Sequence, residues 1–288
     1  MNSTLTASSV VRRQLTVFGV ALAALVLPAQ AYAVSQGLNL NRIGEAPIGA
    51  QLAVYSQAFA PMLAGLAAWL AGGHGLRGFD WGFRRVPWRM LGIAWLVPVL
   101  GITLGYGSAW LTGLARFAPG NVTDSTGLHP ALGIALGLLP GIVPYLILAL
   151  GEQLGWSSFL TTRLAQTRST DATALIVGLC WALFHVPLML FIPGAIDQDV
   201  PIPYAIACFA VRSVAFAFPL VWLRLTTGSI WPVLVLHAAL NAALHFGAGA
   251  MTTPTEGSAW FVGEGGALTA TGLAAAVAAT HRLWRDPG

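Results

Sequence analysis

Two charged side chains fall unavoidably within apolar stretches of this chain or at their edges: Glu152 and Arg212. An ionisable group at membrane depth is costly and usually faces a cavity or a partner. Three histidines, His185, His237 and His245, lie in comparable surroundings, together with Asn241. One such histidine is often no more than a hydrogen-bonded packing residue, but three beside a glutamate and an asparagine suggest a shared purpose. Spacing supports this. Asn241 follows His237 by four residues, so both project from one helix face, with His245 a further turn along; Trp181 and His185 repeat the interval. A carboxylate, imidazoles and an amide together can activate a water molecule and hold a developing negative charge.

The elements that must position these groups are membrane helices. Hydrophobic residues make up 56% of the chain and charged residues only 8%, against about 25% charged in soluble domains. Eight stretches approach the roughly 20 apolar residues that a bilayer core requires: 14–34, 50–72, 90–113, 130–151, 172–195, 203–222, 229–247 and 265–281. None alternates as a membrane barrel strand would. The predicted fold is therefore all-α, a polytopic transmembrane helix bundle of about eight spans. By this division Glu152 sits near the inner surface, with His185 and His237 roughly 12–20 Å deeper at 1.5 Å per residue. Cys180 and Cys208 read as small buried thiols.

Arginine placement sets the orientation. All 14 basic residues are Arg. With a cytoplasmic N-terminus, Arg12, Arg13, Arg77, Arg84, Arg85, Arg89, Arg163, Arg168, Arg224, Arg282 and Arg285 lie inside, and only Arg42 and Arg116 outside. Both termini are expected in the cytoplasm. Arg12-Arg13, an apolar run and Ala31-Tyr32-Ala33 also fit a cleavable signal. The run exceeds the 7–15 residues typical of a signal, which favours an uncleaved first helix.

At the polar residues a family resemblance enters. Segment 152–160, Glu-Gln-Leu-Gly-Trp-Ser-Ser-Phe-Leu, is similar to the Glu-Glu-x-Gly-Trp-Arg-Gly-Phe-Leu motif of the CAAX protease and bacteriocin-processing family. Trp181–Leu188 resembles that family's second motif, an aromatic residue four before a histidine, and His237-Ala-Ala-Leu-Asn241 its third. The resemblance covers about residues 50–250, as a protease core between an N-terminal segment with the first helix, 1–49, and a last helix with a cytoplasmic tail, 251–288. It implies peptide-bond hydrolysis within the membrane: Glu152 activating water, His185 positioning it, and His237 and Asn241 holding the oxyanion. Gln153 and Ser157 depart from the motif's Glu and Arg. They are one turn apart, so both members of an ion pair are replaced together and no charge is stranded; the two can hydrogen-bond instead.

Trp181 and Arg212 are candidate substrate-binding residues. Arg212 lies about ten residues from either end of its span. It either meets backbone carbonyls or a wet cavity, or faces the catalytic chamber and pairs with Glu152 or a substrate carboxylate. Glu152, His185 and His237, with His245, are acceptable zinc ligands. No His-Glu-x-x-His helix exists, so zinc and the absence of a metal both stay open. The expected partners are the lipid bilayer and a membrane-associated peptide or protein substrate; the dilute charge excludes nucleic acid. A catalytically inactive partner or immunity-type binder of the same fold is the alternative. A transporter, suggested by Pro140, Pro144, Pro193 and Pro232, fits less well without an internal repeat. The absence of Lys with abundant Ala, Gly and Arg suggests a GC-rich bacterial genome, hence an inner-membrane location and a substrate other than a prenylated CAAX protein.

Overall fold

The computed structural model describes residues 2–197 and 199–285; residues 286–288 of the expected cytoplasmic tail lie outside the described residues. Helix α1 (Asn2–Ser35) is followed by α2 (Ile48–Ser56) and α3 (Ala60–Ala71), which a single 3-10 turn joins into one span, and then by α4 (Trp88–Leu111). Short α5 (Gly120–Thr126) and α6 (Pro130–Leu138) lead to α7 (Val143–Gln153). This helix continues as a π-helical stretch, Leu154–Thr161, into α8 (Thr162–Leu164). Then come α9 (Thr170–Phe191), α10 (Ile202–Thr227), α11 (Trp231–Ala242) with a π-helical extension to Gly249, α12 (Ala267–Ala279) and α13 (His281–Arg285).

Local sequence explains the boundaries. Pro61, Pro130 and Pro232 occupy first-turn positions, where a missing N–H costs nothing. Ser169 caps α9 by accepting from Ala172 N at 3.3 Å. Gly228 ends α10 at φ +64°, a left-handed conformation that suits glycine. Leu139 leaves helical geometry and Pro140 follows it, so α6 and the α7 helix meet at a 46° bend.

Large apolar side chains such as Val20, Leu27, Leu111, Leu183 and Phe191 point outward, as the surface of a membrane bundle requires. Inside, Phe18 of α1 sits edge-on to Trp156 at 5.5 Å and stacks on Phe159 at 5.3 Å. Helix α9 packs along α10, and α12 along α4. The α4–α12 contact needs glycine: a Cβ at Gly105 would fall 2.5 Å from Leu268 O, and one at Gly272 2.6 Å from Gly105 N. Gly155 likewise lets the π-helical stretch meet the backbone of Pro61.

All eight predicted stretches are helical, but they do not all qualify as spans. Among the described residues, six helices are long and apolar enough to cross a membrane, and the bent α6–α7 pair makes a seventh. Helix α12 has only 13 residues. The fourth stretch also extends beyond its expected end at residue 151. Ser157, Ser158 and Thr161 lower its hydropathy, yet all three are buried, and Thr161 Oγ1 satisfies itself on Trp156 O at 2.9 Å. Glu152 therefore stands 12 residues, about 18 Å, before the end of α8. It stands partway along the helix that ends at Leu164, not at that end.

Connections gather at two ends. At one, Leu40 N donates to Pro193 O and a two-residue ribbon pairs β1 (Arg116–Phe117) with β2 (Thr252–Thr253). At the other, Arg224 pairs with Asp80 at 2.9 Å, Ser229 Oγ donates to Arg84 O at 2.7 Å, and Arg285 pairs with Asp171 at 2.7 Å.

Candidate active site

Glu152 occupies the last turn of α7 and is 9% exposed. Its Oε2 accepts a hydrogen bond from Trp181 Nε1 on α9 at 2.7 Å. Trp181 is fixed in turn by stacking on Phe216 of α10 at 5.7 Å and by edge contact with His237 of α11 at 5.1 Å. Trp181, expected to bind substrate, thus holds the carboxylate. One turn further along α9, His185 Nδ1 lies 2.8 Å from Trp181 O. A carbonyl oxygen only accepts, so Nδ1 carries the hydrogen and Nε2 presents a lone pair.

Glu152, His185 and Asn241 line one cavity of about 180 Å³. His237 does not reach that wall; it is buried behind it, against Trp181. Gln153, fully buried, places Nε2 3.1 Å from His237 Nδ1 and accepts from Ser157 Oγ at 2.7 Å through Oε1. The Gln153–Ser157 bond expected from the paired departure is present. Its link to His237 lies 84 residues away in sequence and had no local sign.

Two further residues of the wall were not foreseen. Gln30 of α1 donates to Gln57 Oε1, between α2 and α3, at 2.7 Å. The first helix therefore contributes to the cavity, although the motifs gave it no part. Isolated glutamines carry no periodic signal, and only the packing of α1 beside α2 reveals them.

Arg212 does not pair with Glu152. Its guanidinium meets Glu264 Oε2 at 3.0 Å and stands 4.5 Å over the Phe209 ring. Glu264 comes from the connection before α12, and His245 Nε2 lies 3.6 Å from its other oxygen. Though the Glu264 side chain is 44% exposed, burial pushes its carboxyl up. Arg212 and His245 outweigh that effect and hold it well below the usual carboxylate range. A depressed carboxyl contributes stability above its unfolded value and loses it as pH falls through the folded one, so this ion pair persists through neutral pH.

The zinc set offered by the sequence does not assemble. Among the described residues no three His, Cys, Asp or Glu side chains stand close enough to hold a metal ion. In the proposed set, Glu152 Oε2 already accepts from Trp181 and His237 Nδ1 faces Gln153.

Residues 134–243 match the family described as Rce1-like, type II CAAX prenyl endopeptidase. This segment, less than half of the chain, is similar to that family. It runs from within α6 to the end of α11 and contains Glu152, Trp181, His185, Arg212, His237 and Asn241. The resemblance carried by the three motifs is thereby borne out over this segment, in a multi-pass membrane protein. The Gln30 and Gln57 contribution and Glu264 lie outside the Rce1-like segment. No curated protein matches the chain.

Proposed function

We propose that the protein is an intramembrane endopeptidase that hydrolyses a peptide bond in membrane-associated peptides or proteins, with Glu152 as general base. The observation that carries this reading is the placement of Glu152: one oxygen is held by Trp181, in the wall of a cavity shared with His185 and Asn241. Glu152 takes a proton from water as the water oxygen attacks the carbonyl carbon. The carbonyl π pair moves onto oxygen, where Asn241 stabilises it by donation. Collapse expels the amine, which receives the proton from Glu152. The lone pair of His185 Nε2 orients the attacking water. The purified protein in detergent should release two fragments from a membrane-associated peptide, read by mass spectrometry. Asn241→Ala should lower kcat by about 10²–10³ with little change in KM, the usual loss for an oxyanion donor; an unchanged kcat would remove Asn241 from the mechanism.

The second reading is a catalytically inactive partner or immunity-type binder, which the Gln153 and Ser157 departures motivate. Against it, these two residues bond to each other and to His237, so the departure leaves a connected site.

The same proposal places the protein in the inner membrane with both termini cytoplasmic. The two clusters of connections divide as the arginines do, with Arg84, Arg224 and Arg285 at one end and Arg42 and Arg116 at the other. Reporter fusions at Asp124 and Asp197 should read as external and those at Arg85 and Arg168 as internal. Reversal at any of these positions would refute the topology.

A further inference from the structure

His185 and His237 are set by partners of opposite kind. At His185, Nδ1 faces a backbone carbonyl and must carry the hydrogen. At His237, Nδ1 faces the amide nitrogen of Gln153 at 3.1 Å. An amide nitrogen only donates, so here Nδ1 must accept.

The direction of the Gln153 amide is what decides the matter, and Ser157 sets it. Ser157 Oγ is 2.7 Å from Gln153 Oε1, and the residue is 1% exposed. A serine hydroxyl has one hydrogen, and this oxygen is the acceptor it meets. Turning the amide over would set Nε2 against Ser157 Oγ and leave the hydroxyl hydrogen buried without its acceptor. With Ser157 donating to Oε1, the amide N–H points at His237.

We infer that Ser157 and Gln153 together lock His237 in the tautomer with hydrogen on Nε2, so that its second ring nitrogen is a hydrogen-bond donor and not an acceptor. A glutamate at position 153, as in the motif this segment resembles, only accepts when ionised. It would draw the hydrogen to Nδ1 and leave a lone pair on Nε2. The Glu-to-Gln departure therefore reverses the polarity of His237. Resting on the peptidase reading, the consequence is a division of labour: His185 accepts from water in the cavity, while His237 donates from behind its wall, beside the Trp181 that holds Glu152. Gln153 and Ser157 are positioning residues, acting through His237.

The test uses the full chain in detergent micelles with ¹⁵N-labelled histidine, above neutral pH. The ring signals of His237 are identified by their loss in His237→Gln. In the wild type the ¹⁵N pattern should show a bare Nδ1 and a protonated Nε2. Gln153→Glu should reverse it. If that buried charge prevents folding, Ser157→Ala serves instead: it frees the amide to turn, and the His237 signals should divide between both tautomers. A wild type with hydrogen on Nδ1, or variants that fold and keep the wild-type tautomer, would overturn the inference. The spectrum needs no turnover. A protein that cleaves nothing but shows the Nε2–H form would defeat the peptidase reading and leave this assignment standing.

Discussion

Glu152→Gln should abolish nearly all turnover, by about 10³–10⁴ in kcat, while the protein stays folded. The loss is the upper range for removing a general base. The fold should survive because glutamine keeps the shape and an acceptor for Trp181 Nε1, now 2.7 Å from the carboxylate. What disappears is the capacity to take a proton from water. The other acidic side chain in this part of the bundle, Glu264, is engaged by Arg212 at 3.0 Å and is held in its weakly basic, ionised form, so it cannot substitute. Cleavage rate and thermal midpoint should be measured on the same preparation. Wild-type activity in folded Glu152→Gln would favour the binding-partner reading.

The second large effect concerns stability. Asp80→Ala should destabilise by about 3 kcal/mol, the low end for stranding one member of a buried pair. Arg224 is 2% exposed and its guanidinium meets Asp80 Oδ2 at 2.9 Å; Asp80 itself is 39% exposed. The two substitutions should therefore be unequal. Removing the acid leaves a desolvated cation, with the Asp80 carbonyl at 3.1 Å as a remaining partner. Removing the base in Arg224→Met leaves a carboxylate that water and Arg84 at 3.3 Å still serve, for a cost of about 1 kcal/mol or less. Unfolding midpoints in detergent would check the asymmetry, and equal losses would show Arg224 to be better hydrated than its burial implies.

Residues that share a helix face were legible in the sequence. The four-residue intervals Trp181–His185 and His237–Asn241 reveal themselves because helical geometry turns spacing into direction, and long apolar runs reveal spans because lipid leaves few other solutions. Contacts that depend on how helices are arranged left no such trace. The Gln153–His237 bond joins residues 84 apart and the Gln30–Gln57 bond residues 27 apart. Glu264 reaches Arg212 from a connection that composition assigns to the outer surface. Hydropathy misplaced the end of the fourth helix for a related reason. Ser157, Ser158 and Thr161 count as polar, yet each hydroxyl finds a partner inside the protein. Such groups need no water.

The brevity of α12 bears on the lipid around it. Thirteen helical residues reach only about 20 Å, whereas the hydrocarbon core is about 30 Å thick. The helix is not free to tilt or slide to a better depth, since Gly105 and Gly272 bring it against the α4 backbone. If α12 crosses the membrane, the mismatch falls on the bilayer, which would thin beside it and draw headgroups and water toward the Gly266 end of the helix. Glu264 stands two residues before that end, in ion contact with Arg212. A guanidinium deep within α10 by sequence would then lie near a dimple in the membrane surface, and its burial in the bundle would cost less than its depth along the helix suggests.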